Sequence, residues 1–409
     1  MKYTLENLMA QVGCAAYPER WHDIFADAMA EYDREGCAPA DPAYYDALHE
    51  KYGCMERHGD LYRSAALQVA TDEPLARFLT LLVVALRDDE HRGEDIRKLS
   101  LLKAPQGKVP LAYNMITGLA LCSQLDRAHE ALVARGLPEE KRLWSLRTAV
   151  DCGVDTYMRQ HNGEPGYNLL SWAQLHLQGR LARLGRLEIE FAASFRGKAT
   201  VFENVRGERV ALANDIMLHR SGFALGSLYL EDEEDAWYAV IEEDDLTWRG
   251  YPYREDGHAD REPITLDKTE WRQILTTGDP IISLHIPNHA QYGPLTSDAV
   301  EESLAAARDY AAKYFPDCPY KAFSCHSWLM DPQLKTLVGE TSNIAKFLGR
   351  FEIITAKSRG QAIFNFIFNR PDSNFDWHEL PEGTRLERGL KQHYLGGKAI
   401  YEMIGYIMI

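Results

Sequence analysis

The chain has no CxxC pair, no dense basic run, no long apolar segment and no low-complexity tract, and each absence excludes something. Its seven cysteines, Cys14, Cys37, Cys54, Cys122, Cys152, Cys318 and Cys325, are odd in number and scattered. A chain of this size needs no disulfide staples, so the pattern predicts free thiols in a reducing, cytoplasmic compartment. Metal-binding spacings are poor. His49, Cys54 and His58 fall near Gly53 and Gly59, and His285 and His289 straddle Pro287, so neither set has the helical offset of HExxH or a finger-like pair, and no metal is expected. The opening MKYTLENLMAQVG lacks the apolar core of a signal peptide, and the longest apolar run, Phe78 to Leu86, is too short to span a bilayer. Positive charge is also scarce: 45 Lys and Arg stand against 61 Asp and Glu, a formal net charge of -16. Binding phosphate-rich surfaces needs clustered cations, so neither a nucleic-acid nor a membrane partner is expected. The run Glu231-Asp232-Glu233-Glu234-Asp235 reads as a solvated loop.

What is present suits a globular protein. Hydrophobic residues make up 45% and charged residues 26% of 409, and at about 100–200 residues per domain this favours two or three domains. From Leu5 to about Gln160 apolar residues recur at helical spacing, with start signals before PERWHDIFADAMAEY, DPAYYDALHEKYG and DEPLARFLTLLVVAL. We expect five to seven helices there, with Leu75, Phe78, Leu79, Leu82, Val83 and Leu86 as one core stripe. A further helix spans Leu169 to about Leu184.

The period then changes to alternation at Leu187, Ile189 and Phe191 in GRLEIEFAASF, and strands continue through ERVALANDIML and DAWYAVIEE. LTWRGYPYREDGHADREP reads as a long loop. The C-terminal part alternates: strand IISLHIP, helix from Thr296 to about Tyr314, strand KAFSCHSWLM, helix near Pro332 to Val338, then strands EIITAKS and QAIFNFIFN. Thr384 caps a last helix ending at Gly396-Gly397, and KAIYEMIGYIMI closes as a strand. The fold class is α/β (α+β).

The stretches GDPIISLHIP, PLTSDAVEESLAAARDYAAKYFPD, FSCHSWLMDPQL and SNIAKF resemble bacterial acyltransferase-domain proteins, which join an N-acyltransferase N-terminal domain to a GNAT-like C-terminal domain. The order of elements agrees with that resemblance. It implies a helical domain over residues 1–136 and a GNAT-like domain over 137–409, with acyl-CoA or acetyl-CoA as co-substrate and a small-molecule amine as acceptor. It further implies that strand IISLHIP, with Ile286, pairs with the pantetheine arm, and that Gly293, Thr296 and Ser297 at the following helix face the CoA phosphates. The usual Gln/Arg-x-x-Gly-x-Gly/Ala loop is missing, since IPNHAQYGPLTSD supplies only Gly293 and puts Asp298 in the first helical turn.

Acyl transfer to an amine needs a base for the ammonium proton, an acid for the leaving thiolate and donors for the oxyanion. Strand alternation puts Ser283 and His285 on one face of IISLHIP, and Ser324, His326 and Trp328 together in KAFSCHSWLM. His285, His326 and Ser324 are therefore the catalytic candidates if the two strands are parallel neighbours. Cys325, on the opposite face from His326, reads as core. Glu188 and Glu190 share a strand face and could act through a water, although a solvated face is the commoner outcome. Tyr292, Tyr394, Tyr401 and Tyr406 are candidate acids for which packing is the commoner role. Two functions stay open: an acyl-CoA-dependent N-acyltransferase, or a catalytically silent GNAT-like module that binds a small molecule or partner protein.

Overall fold

The computed structural model describes residues 3–88, 104–287, 292–368, 370 and 376–409. His289 lies outside them. The chain divides into two compact units, Met1–Ala182 and Arg183–Ile409.

The first unit is helical: α1 (Leu5–Val12), α2 (Trp21–Glu35), α3 (Pro42–Tyr52), α4 (Gly59–Ala70), α5 (Glu73–Leu86), α6 (Pro110–Cys122), α7 (Leu125–Ala134), α8 (Glu139–Gln160) and α9 (Leu170–Leu177). Local chemistry starts several of them. Asp41 accepts from the Ala43 amide and Asp72 from the Leu75 amide, which satisfies N–H groups that the first turn leaves unpaired. The α5 stripe is buried as the periodicity requires, with Trp21 packed at 6.1 Å on Phe78. The domain boundary anticipated after residue 136 falls inside this unit, because α8 packs on α6, α7 and α9. The helix expected from Leu169 to Leu184 stops at Leu177, and after a turn the chain enters a strand at Leu181. Each of the seven cysteines is free. Among the described residues, no helix is long and apolar enough to cross a membrane.

The second unit holds β1 (Leu181–Leu184, spanning the division), β2 (Leu187–Ser194), β3 (Ala199–Asn204), β4 (Arg209–Ala213), β5 (Ile216–Leu218), β6 (Trp237–Ala239), β7 (Glu242–Glu243), β8 (Thr247–Gly250), β9 (Ile264–Asp267), β10 (Trp271–Thr276), β11 (Pro280–His285), β12 (Ala322–Ser327), β13 (Glu352–Thr355) and β14 (Met403–Met408). Helices α10 (Ser297–Tyr314), α11 (Leu334–Val338), α12 (Asn343–Leu348), α13 (Ala362–Phe368) and α14 (Arg385–Leu395) connect or cover them. The main sheet runs β1-β2-β11-β12-β14-β13, with β11 and β12 parallel. A second sheet, β10-β3-β4, lies against one face of it. Val201, Ala211 and Leu275 pack there on Ile281, Ala322, Ile354 and Ile404.

α10 covers the opposite face. Phe191 stacks at 4.9 Å on Tyr310 and 5.0 Å on Phe315, and a side chain buried this fully contributes about 1.5–3 kcal/mol. Two readings of the sequence change here. Within QAIFNFIFN, Ala362–Phe368 forms a helix rather than a strand, because its inward residues Ile363, Phe364 and Phe368 share one side, where Phe364 packs on Trp377 and Tyr394. The expected long loop from Leu246 to Pro263 is partly paired: Thr247–Gly250 forms β8 beside β9, and the Tyr253 amide donates to the Ala211 carbonyl at 2.8 Å, while the rest runs as turns to Pro263.

Candidate functional site

The site is built where β11 and β12 part. Their ladder runs from Ile281 opposite Ala322 to Ser283 opposite Ser324 and ends there, although β11 continues to His285 and β12 to Ser327. Residues opposite one another in a parallel pair face the same way, so His285 and His326, each two positions on, lie on the same face of the sheet at the mouth of the opening. The other face is apolar, with Ile282, Leu284, Phe323 and Cys325 all buried.

On the β11 side, register brings carboxylates to the histidine. Ser283 lies opposite Glu190 and His285 opposite Glu188 in β2. His285 Nε2 is 3.3 Å from Glu190 Oε2 and 3.5 Å from Ser283 Oγ. An ionised carboxylate only accepts, so Nε2 is the donor to Glu190 and a neutral ring keeps its lone pair on Nδ1. The expected solvated face for Glu188 and Glu190 is not found: they are 8% and 7% exposed. Burying a carboxylate requires a partner, and Glu188 receives Arg183 Nη2 at 2.8 Å.

On the β12 side, His326 lines a cavity of about 390 Å³ together with Arg196, Lys198, Asp215, Met217 and Lys357. Solvent reaches the ring through the cavity, yet enclosure lowers the His326 pKa, and the neighbouring Arg196 charge lowers it further. Both effects favour the neutral ring. Gly197 fixes the loop that carries Arg196 and Lys198: a Cβ there would meet Phe195 and Ile354 at 2.4 and 2.5 Å.

The segment between β11 and α10 holds the other expected contacts, apart from 288–291, which lie outside the described residues. Ile286 follows the end of β11. Gly293 adopts φ 72 and gives its carbonyl to Arg186 Nε at 2.8 Å, while Arg186 Nη1 donates to the Pro287 carbonyl at 3.2 Å. Thr296 caps α10, accepting the Ala299 amide at 3.3 Å, and the Ser297 carbonyl accepts from Arg350 at 3.3 Å. Asp298 occupies the first turn.

Other candidates serve the fold. Ser324 donates from Oγ to the Gly405 carbonyl at 3.1 Å. Trp328 does not share the strand face of His326, because β12 ends at Ser327, which caps a short turn through the Leu329 amide. Burial pushes the Cys325 thiol up to about 12, and a thiol that stays protonated is no nucleophile. Tyr292 lies under the Arg183 guanidinium at 4.0 Å, and Tyr394 stacks on Trp377 at 4.5 Å. Tyr401 donates to the Leu228 carbonyl at 3.1 Å and Tyr406 to Glu352 at 2.7 Å. Sequence reasoning missed Arg196, whose only local signal is the FRGK turn after β2, and Lys357, which lies in the segment after β13.

Comparison with known proteins adds to this geometry. Residues 181–407 match the family model described as the GNAT-like C-terminal domain. A solved acyltransferase in complex with decanoyl-CoA and teicoplanin is 19% identical, covers 98% of this chain and 98% of its own, and has a TM-score of 0.61. An acyltransferase variant in complex with octanoyl-CoA is 19% identical over 99% of both chains, with a TM-score of 0.60. A complex with CoA and 10C-teicoplanin gives 19%, 98% of each chain and 0.60. At such identities the likeness is one of fold. Among curated proteins, none matches the chain.

Proposed function

The chain belongs to the GNAT-like C-terminal domain family, and from that premise we propose that it is an acyl-CoA-dependent N-acyltransferase working by direct attack of an amine. The observation that carries this reading is the parting of β11 and β12 beyond Ser283 and Ser324, with a histidine on each strand at its mouth. The acyl-CoA held by the similar structures supports the choice of donor.

The residues present fit such a donor. The end of β11 through Ile286 offers backbone to an extended arm, and Gly293, Thr296 and Ser297 at the start of an 18-residue helix suit its phosphates, with Arg186 beside them. When bound, the thioester supplies a carbonyl carbon that forms a bond to the amine nitrogen as its bond to sulfur breaks. His285 takes the ammonium proton at Nδ1, because Nε2 is turned to Glu190. The buried Glu190 carboxylate stabilises the positive charge that the ring gains. His285 then returns the proton to the departing sulfur, which balances the transfer. His326, whose environment favours the neutral ring, faces the acceptor side.

The second reading, a silent binding module, is favoured by Asp298 in the first turn of α10, where a negative charge opposes phosphate. Purified protein is incubated with decanoyl-, octanoyl- or acetyl-CoA and a panel of primary amines, with CoA release and amide mass as readouts. The enzyme reading expects both signals together. A raised melting temperature with acyl-CoA but no CoA release above the protein-free rate with any amine would leave only the silent module.

A further inference from the structure

The cavity beside His326 carries two cations that no described residue pairs. Lys198 is paired with Asp215, but Arg196 and Lys357 make no hydrogen bond or ion pair among the described residues. They come from opposite sides, the turn after β2 and the segment after β13, and both line the same cavity. Two uncompensated cations in a chain of net charge -16 form a local positive spot in a negative field, which draws an anion. Ile216, Leu225 and Ile404 give the wall an apolar stretch beside Thr355. An isolated ammonium would be repelled here. An amine whose own carrier bears an anion would not be.

We propose that this cavity is the acceptor subsite and takes an amine that also carries a carboxylate on an apolar body, the carboxylate held between Arg196 and Lys357 and the nitrogen directed past His326 toward the opening between β11 and β12. The assignment rests on the acyl-transfer reading for the amine, while the anion site stands on the cavity itself. Guanidinium and ammonium donors to a carboxylate form the stronger class of hydrogen bond, and the exposure of both side chains keeps the effect moderate and salt-dependent.

The test has two arms. In the first, N-decanoyl-L-leucine and its neutral amide are titrated calorimetrically into the full chain. The carboxylate should bind about tenfold tighter at low salt, the advantage should vanish in the Arg196→Gln/Lys357→Gln double variant, and Arg196→Lys should keep most of it. Equal affinity for the two probes, or a carboxylate preference that survives the double variant, overturns the proposal. In the second arm, decanoyl-CoA is offered L-leucine or isoamylamine. Preference for leucine, lost in Arg196→Gln through KM rather than kcat, supports the subsite; equal acylation of both overturns it and leaves acyl transfer standing. If neither amine is acylated while the first arm gives its expected result, the anion site holds and it is the acyl-transfer reading that fails.

Discussion

Replacing Glu190 by glutamine removes one charge and little else, because the side chain keeps its length and its place opposite Ser283. The carboxylate oxygen sits 3.3 Å from His285 Nε2. At that separation a full positive charge on the ring is attracted by about 1.3 kcal/mol in a water-like medium and by about 5 kcal/mol at an effective dielectric of about 20. Glu190 is buried but the imidazole side chain is 30% exposed, so the lower part of that range applies, about 2 kcal/mol. Since about 1.4 kcal/mol is tenfold, kcat for amine acylation should fall about 30-fold in Glu190→Gln. KM should change by less than about twofold, because the charge on the ring appears mainly in the transition state. His285→Ala should cost about 10²–10⁴-fold, and adding Glu190→Gln to it should cost almost nothing more, as Glu190 acts through the ring. Stopped-flow or thiol-release assays on folded variants decide it. A Glu190→Gln enzyme with full kcat, or a double variant slower than His285→Ala by another 30-fold, would refute the pairing as the working unit.

The remaining expectations concern titration and packing. Burial pushes the Asp331 carboxyl up to about 6 from the usual 3.8, against the bonds it accepts from Tyr401 and Gln333. An acid that holds its proton more tightly when folded loses stability on ionising, a cost present above about pH 6 and relieved as pH falls toward 3.8. Wild type should therefore gain about 2–3 kcal/mol relative to Asp331→Asn between about pH 7.5 and about pH 4 in urea unfolding, and parallel curves would contradict this. The His326 ring should titrate below the ordinary histidine range by NMR. Arg196→Gln should raise it only in part, since burial is the larger cause and Lys357 and the Lys198–Asp215 pair still face it; full restoration would show that burial is not the larger cause. Gly153→Ala in α8 would place a Cβ 2.4 Å from both the Asn168 carbonyl oxygen and the Tyr167 ring. Despite alanine's helix preference it should destabilise the protein by about 1–3 kcal/mol, and a raised melting temperature would disprove the close packing.

Much of the second unit was legible because its strands alternate cleanly. Leu187, Ile189 and Phe191 in β2 and Ile282 and Leu284 in β11 announce their buried face directly, and the matching polar face carries the histidines. Thr296 and Thr384 announced helix starts that their side chains cap. What failed was decided by tertiary contacts. The β-branched and aromatic run at Ala362–Phe368 has strand propensity, yet packing of Phe364 on two rings makes it helical. β3 and β10 went unread, although they pair with each other in the second sheet. Glu190 and His285 are 95 residues apart, and nothing local distinguishes a buried carboxylate partner from a solvated one. The Arg196 and Lys357 pair was beyond reach for the same reason: only the fold brings the turn after β2 to the end of β13.

The strand order has a consequence for biosynthesis. β14, made last of the strands described, lies between β12 and β13 and supplies the pairing partners of His326 and of Ile354. On a ribosome, every earlier strand of the main sheet emerges before the one that joins β12 to β13. Until Met403–Met408 is released, β12 presents a raw edge and β13 has no strand to bind, a state prone to pairing with other nascent chains. The helical unit lies wholly upstream of this strand, whereas the unit holding the candidate site completes its sheet only once the strand has emerged. Transcripts stalled before residue 403 should accordingly yield products recognised by chaperones and proteases rather than partially working protein.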